Sequence, residues 1–248
     1  MAPLLLAFFA GLIAGTMNAL AGGGSFVSLP ALIAAGVPSV QANASSTVAL
    51  FPGGAASVWA YRDSLGSVGS ASLRLLLAAT LIGGAVGGLL LLYTPTKEFD
   101  LILPWLLLIA LAALACGRRI GDWLRRRWKI RPGAVAIIQF CLGIYGGYFG
   151  GAVGIMMIAA WGLLDDCDLR RLNGTRTLMV STANAIAVII FITTRLVRWP
   201  PTVALLIGGI LGGYCGALIG RRAPPHVIRV ATLIITTLIT VAFFVKLI

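Results

Sequence analysis

Eight long apolar runs dominate the chain: Pro3 to Leu20, Ala44 to Ala60, Ser72 to Tyr93, Leu101 to Cys116, Gly133 to Phe149, Leu178 to Thr194, Val203 to Ile219 and Val227 to Val245. About 20 apolar residues of helix cross one bilayer core, and backbone in hydrocarbon must satisfy its own polar groups. An all-α polytopic membrane protein of about eight spans is therefore expected. Composition agrees, with 59% hydrophobic and only 10% charged residues against roughly 25% in soluble domains.

The net charge of +12 would suggest nucleic acid in a soluble protein, yet the cations cluster at the ends of the apolar runs. Between Arg118 and Arg131 seven basic residues stand against the single acidic Asp122, which places this linker in the cytoplasm. Domains of 1–121 and 133–248, joined by the basic linker 122–132, follow from that break. No nucleic-acid partner is expected. Met1-Ala2-Pro3 lacks the basic start of a cleaved signal peptide, so the first segment is expected to be retained.

Four scattered cysteines and one histidine, His226, offer no metal-ligand spacing, so neither metal nor cofactor is expected. No credible nucleophile and base stand together, so no catalytic residues are assigned and an enzyme is not expected. All seven carboxylates fall in loops or at segment ends, which favours an anion over a cation as cargo.

The two halves repeat one script. Gly11-x-x-x-Gly15 answers Gly143-x-x-x-Gly147, and each run then meets a break, Gly22-Gly23-Gly24-Ser25 or Gly150-Gly151-Ala152-Val153-Gly154. A short apolar piece follows each, Phe26 to Gly36 and Ile155 to Leu164, too short to span alone. Next come Asn43-Ala44-Ser45-Ser46-Thr47 and Asn173-Gly174-Thr175-Arg176-Thr177, both expected to open a longer helix. The glycine sets from Gly83 and from Gly208 also match, and small residues four apart are expected to pack helix on helix. Two tandem repeats with glycine-broken or re-entrant helices result. Inversion is the expected relation, because it puts Arg221, Arg222 and Arg229 inside and Arg195 with Arg198 outside; the parallel alternative reverses those two loops.

Short, glycine-interrupted apolar segments at matching places in two halves point to a secondary transporter's substrate site. A small oxyanion leaving water needs donors and compensating charge, and a helix N-terminus offers both. The candidate substrate residues are therefore Thr16, Asn18, Gly22, Gly23, Gly24 and Ser25 at the first break, and Gly150, Gly151 and Gly154 at the second. Asn43, Ser46, Thr47 and Asn173 join them as donors, or serve as simple caps. Arg176 is the sharpest, since a cation opening an apolar helix either binds an anionic edge or snorkels to headgroups. Thr177, Ser181 and Asn184 follow it on one helical face, lining a cavity or bonding a neighbouring helix.

The glycine-rich break, Leu29-Pro30-Ala31-Leu32, Gly36-Val37-Pro38 and Asn43 to Ala49, with a degenerate second copy, resembles the TauE/SafE family of sulfite and organosulfonate exporters and permeases. The resemblance covers about residues 4–247. It implies a plasma-membrane secondary transporter of small sulfur-containing or related organic anions. Its partners would be that substrate and the bilayer, with a homodimer left open. In the second copy no Gly-Gly-Gly triplet stands, and Trp161-Gly162-Leu163-Leu164 replaces a proline-containing stretch. A passive anion channel and a carboxylate permease remain as alternatives.

Overall fold

The computed structural model describes residues 1–68, 71–127, 132–151, 153–161, 173–220 and 224–247. The described residues are largely helical, in two sets of five α-helices with a short 3-10 turn, Arg62–Ser64, between the third and fourth. The first set is α1 (Ala2–Ala21), α2 (Ser25–Ala34), α3 (Ser39–Ala60), α4 (Leu73–Tyr93) and α5 (Thr96–Arg127). The second is α6 (Pro132–Tyr148), α7 (Val153–Trp161), α8 (Asn173–Thr193), α9 (Trp199–Gly220) and α10 (Pro225–Leu247). Among the described residues the extended structure is one isolated bridge, Val68 with Ala71.

Local chemistry sets the helix ends. Gly22 closes α1 in the left-handed region, φ 78°, where its N–H reaches the carbonyls of Met17 and Asn18. Gly150, at φ 74°, takes up the same conformation just beyond α6. A side chain with a Cβ is disfavoured there, which is why both breaks carry glycine. Ser72 caps α4 by accepting from the Leu75 N–H at 3.3 Å.

Among the described residues six helices are long and apolar enough to cross a membrane: α1, α4, α5, α8, α9 and α10. Each of the eight apolar runs falls on a helix, but two of those helices do not qualify. α3 has 22 residues, yet the polar stretch from Ser39 to Thr47 lowers its hydropathy, and all of that stretch except Gln41 is buried. α6 has only 17 residues before the chain breaks. α3 also begins at Ser39 rather than Asn43, so Asn43 sits one turn inside the helix.

Glycine decides which helices meet. α1 lies on α9, where a Cβ at Gly212 would strike the Leu12 carbonyl and one at Gly216 would stand 2.8 Å from that of Thr16. α4 lies on α6 in the same way: a Cβ at Gly87 would strike the Ile144 carbonyl, and one at Gly143 would be 3.0 Å from that of Thr80. Such contacts carry helix association where lipid supplies no hydrophobic drive. Both pairs run parallel, since contacts advance together along the two chains. α3 and α8 instead cross antiparallel. Gly54 faces Ser181, while Tyr61 and Ser64 near the end of α3 meet Gly174 at the start of α8. α5 and α10 are antiparallel too, with Trp105 edge-on to Phe244 and Arg229 donating to the Ala115 carbonyl.

Exchanging the two sets of five maps the α1–α9 contact onto α6–α4, α4–α8 onto α9–α3, and α5–α7 onto α10–α2. The halves thus interlock, each resting its first helix on the other's fourth. α3 and α8 lie between them. Large side chains fill the interior, among them Phe26, Phe99, Phe149, Trp161 and Phe191, while Leu5, Phe9, Leu81, Ile207 and Leu238 are exposed in the apolar belt expected against acyl chains.

Candidate functional site

The second break is where polar groups converge. At the end of α6 the N–H groups of Phe149 and Gly150 both donate to the Tyr145 carbonyl, at 2.9 and 3.4 Å, so the Gly146 carbonyl is passed over. The next carbonyl but one, Tyr148, accepts from the Asn43 side-chain amide at 2.8 Å. Helix ends leave carbonyls without intrahelical donors, and α3 supplies one here from the other half. Asn43 is therefore bonded to protein and caps the end of α6.

α3 and α8 wall this break. The position a Cβ would take on Gly150 lies 3.5 Å from Thr47 Oγ1, 3.6 Å from Asn184 Oδ1 and 3.6 Å from the Gly146 carbonyl oxygen. Three oxygens from three helices surround one point. Thr47 donates its own proton to the Asn43 carbonyl at 3.0 Å. Asn184 Oδ1 and Ser181 Oγ are buried without a hydrogen-bond partner, and Ser181 Oγ stands 3.3 Å from the Cβ position of Gly54. Buried polar atoms are nearly always paired, so two orphans one turn apart mark a polar face of α8, with Asn184 toward the break and Ser181 toward α3.

One turn further along α7, the stem of Arg176 lies against Gly154, with Cδ 3.6 Å and Cγ 3.8 Å from its Cβ position, beside Val180. Arg176, Val180, Ser181 and Asn184 thus form one face of α8 along the break and the first turn of α7. Arg176 is half-buried, and the ion pair found among the described residues is elsewhere, Arg62 with Asp63 at 3.8 Å. Gly151 packs beneath the Phe149 ring. Thr177 bonds back to the Asn173 carbonyl at 2.8 Å, within the first turn of α8.

The first break is built differently. Gly22 is exposed, with nothing within 4 Å of its Cβ position. Gly23 faces Phe26, Met17 and Thr232, and Gly24 is pressed on the Ala14 carbonyl, 2.5 Å from its Cβ position. Asn18 is exposed and Ser25 half-buried. Thr16 bonds the carbonyls of Leu12 at 2.8 Å and Gly212 at 2.9 Å, which places it in the α1–α9 seam. Ser46 pairs with Ser28 at 2.6 Å and so ties α3 to α2. Thr16, Gly24 and Ser46 thus hold helices together, and Asn18 and Gly22 are exposed; Thr47, Gly150, Gly154, Arg176, Ser181 and Asn184 are the ones the fold assembles.

Several polar residues of consequence were not singled out from sequence. Gln139 donates to Thr80 at 2.7 Å and accepts from the Trp161 indole at 3.1 Å, fixing the end of α7 to α6 and α4. A lone amide inside the apolar run of α6 was the available signal. Arg198 donates Nε–H to Gln41 at 2.6 Å and its backbone N–H to buried Ser45 at 3.0 Å. It borders a surface pocket of about 340 Å³ lined also by Pro3, Gly36, Pro38 and Pro201, where α1 begins and α2 turns into α3. Asp165, Asp166, Asp168, Arg170 and Arg171 lie outside the described residues. Among the described residues no three His, Cys, Asp or Glu side chains group as a metal site.

Comparison with known proteins gives a consistent result. A family model described as sulfite exporter TauE/SafE matches residues 7–243. The probable membrane transporter protein YfcA of Escherichia coli (strain K12) is 28% identical over 240 residues, covering 96% of this chain and 89% of that protein. A probable membrane transporter protein of Haemophilus influenzae is 26% identical over 237 residues, covering 96% and 92%. The probable membrane transporter protein ORF9 of Sinorhizobium sp. is 28% identical over 222 residues, covering 88% and 82%. No solved structure matches.

Proposed function

The chain belongs to the TauE/SafE family of sulfite exporters, and from that premise we propose that it is a secondary transporter of small anions, foremost sulfite and organosulfonates, in the plasma membrane. The observation that carries this reading is Arg176 lying on Gly154 in the first turn of α7. A helix N-terminus presents free N–H groups and the positive end of its dipole, and a guanidinium adds full charge with paired donors. The stem of Arg176 and this N-terminus sit beside a helix break flanked by the buried hydroxyls of Thr47 and Ser181. An oxyanion is the cargo such a combination stabilises.

Alternating access is the proposed mechanism, and the repeats are taken as inverted. The antiparallel crossings of α3 with α8 and of α5 with α10 support this, because each pair joins corresponding elements of the two halves. An axis in the membrane plane relates such repeats, and rocking one against the other exposes a central site to either side. In this arrangement residues 1–121 and 133–248 form the two units. The ends of α3, α5 and α9 share one face, so the basic linker 122–132 and the start of α10 lie in the cytoplasm by charge bias. Arg198 and its pocket then open to the outside.

Purified protein in liposomes should take up radiolabelled sulfite in a saturable way and show counterflow. Arg176→Ala removes a charged donor worth about 1.5–3 kcal/mol, roughly ten- to a hundredfold in apparent affinity, and should abolish flux at low substrate while the protein still elutes as folded. Normal flux in that variant sinks the assigned role. Flux without counterflow indicates a passive channel, and competition by small carboxylates but not sulfonates indicates an organic-acid permease.

A further inference from the structure

The break between α6 and α7 has two ends of opposite polarity. α7 begins there, and its N-terminal turn with Arg176 suits an anion. α6 ends there, and a helix C-terminus presents carbonyl oxygens and the negative end of its dipole. The three atoms nearest the Cβ position of Gly150, outside its chain neighbours, are oxygens: Thr47 Oγ1, Asn184 Oδ1 and the Gly146 carbonyl. The hydroxyl proton of Thr47 is engaged by the Asn43 carbonyl, so Thr47 turns lone pairs outward. Asn184 Oδ1 has no donor, and Ser181 Oγ, one turn away, is over nine-tenths buried and unpartnered. Lone pairs of Thr47, Asn184 and Ser181 are thus open to a cation at the negative end of the α6 dipole.

We infer that Thr47, Asn184, Ser181 and the Gly146 carbonyl form a site for a monovalent alkali cation, sodium in the first instance, at the C-terminal end of α6. Four neutral oxygens without a carboxylate are too weak a field for a divalent ion, which takes charged oxygen ligands. A proton has no titratable group to occupy among these residues. Half-helix ends and unwound carbonyls are the means by which intramembrane sites hold such ions. Along α8 Asn184 lies about two turns from Arg176, with Ser181 between them, so a bound cation and a bound anion would each lower the cost of desolvating the other. That coupling rests on the anion reading above; cation binding by itself does not.

Equilibrium binding of ²²Na⁺ to the purified, full-length protein, with ⁸⁶Rb⁺ as a second arm, tests the inference. Saturable binding of either ion is expected. Asn184→Leu and the near-isosteric Thr47→Val should each raise the half-saturating concentration at least about tenfold, the factor that 1.4 kcal/mol of lost binding produces. Thr47→Ser keeps the oxygen and should restore binding, which separates a ligand role from misfolding. Arg176→Ala should leave ²²Na⁺ binding intact while abolishing sulfite uptake. The site is overturned by the absence of saturable binding of both ions, or by wild-type binding in Thr47→Val and Asn184→Leu. Saturable sodium binding without sulfite transport would sink the anion reading and leave the cation site standing.

Discussion

Asn43 of the first half donates its side-chain amide to the Tyr148 carbonyl of the second at 2.8 Å, across 105 residues of chain. Asn43 is only 1% exposed, so water does not replace the bond. Asn43→Leu leaves a carbonyl at the end of α6 without its donor, at a cost of about 1–2 kcal/mol for an interhelical bond in lipid. Asn43→Asp keeps the shape, loses the donor and sets a carboxylate beside the carbonyl, and should cost more. Thermal unfolding of purified protein in detergent measures both, and equal midpoints for wild type and the two variants would show that the bond holds nothing.

The glycine seams make a sharper prediction, because their tolerance differs with place. Gly212→Ala sets a methyl group into the Leu12 carbonyl, and Gly87→Ala into that of Ile144. Neither neighbour is a side chain that can swing away, so the helices must separate, and loss of close packing costs about 1–3 kcal/mol for each inserted methyl. Gly53→Ala meets nothing within 4 Å on α3 and should be neutral or gain about 0.5–1 kcal/mol in helix propensity. Yield of monodisperse protein should fall for the first two and hold for the third; parallel behaviour of all three would refute the seam.

Much of this architecture was legible because hydrophobic length and glycine spacing are local properties. The run from Ser72 to Tyr93 became α4 almost residue for residue, and Gly22 and Gly150 did mark breaks. Partners were not legible. That Gly208 and Gly212 would receive Phe8 and Leu12, and not a neighbour in their own half, depends on how the repeats interlock. The same holds for the site. Asn43 and Asn184 look alike as amides inside long helices, yet one is consumed by Tyr148 and the other keeps an unpartnered oxygen. Thr16 and Thr47 look alike too, and only Thr47 faces a break. Eight spans were expected and six helices qualify among the described residues; α3 falls short because its early turns, Asn43 to Thr47, are polar, and the fold buries them.

Replacing Arg176 by lysine isolates the geometry of the cation from its charge. Lysine keeps a positive end but gives up the planar pair of donors that matches an oxyanion edge. Arg176→Lys should therefore retain saturable sulfite uptake, with a half-saturating concentration raised by about tenfold and an unchanged maximal rate. Uptake identical to wild type would mean that the charge alone suffices, and loss as complete as in Arg176→Ala would mean that the fork is indispensable.

Gln139 controls α7 from its far end. Its amide bridges the Trp161 indole and Thr80, so Gln139→Leu strands a buried indole N–H at a cost of about 1–3 kcal/mol. Thr80 keeps its bond to the Leu76 carbonyl and α4 is spared. The loss should appear as faster amide exchange confined to α7 and the end of α6, measured by mass spectrometry. Uniform acceleration across the chain would instead mark Gln139 as a general stability residue with no special hold on the broken helix.

Residue sidedness distinguishes inverted from parallel repeats. α8 ends beside the start of α3, where Arg198 bonds Ser45 and Gln41, and it begins beside the end of α3, where Thr175 bonds Gly66. Thr194 should therefore share a membrane face with Lys97, at the start of α5, and Ser67 should occupy the other. On a background with Cys116, Cys141, Cys167 and Cys215 changed to alanine, single cysteines at these three exposed positions can be probed in intact cells with a membrane-impermeant maleimide. Lys97→Cys and Thr194→Cys should label from outside, and Ser67→Cys only after the membrane is opened. Labelling of Thr194→Cys together with Ser67→Cys, and apart from Lys97→Cys, would favour parallel repeats. It would also remove the in-plane symmetry axis from the mechanism proposed above.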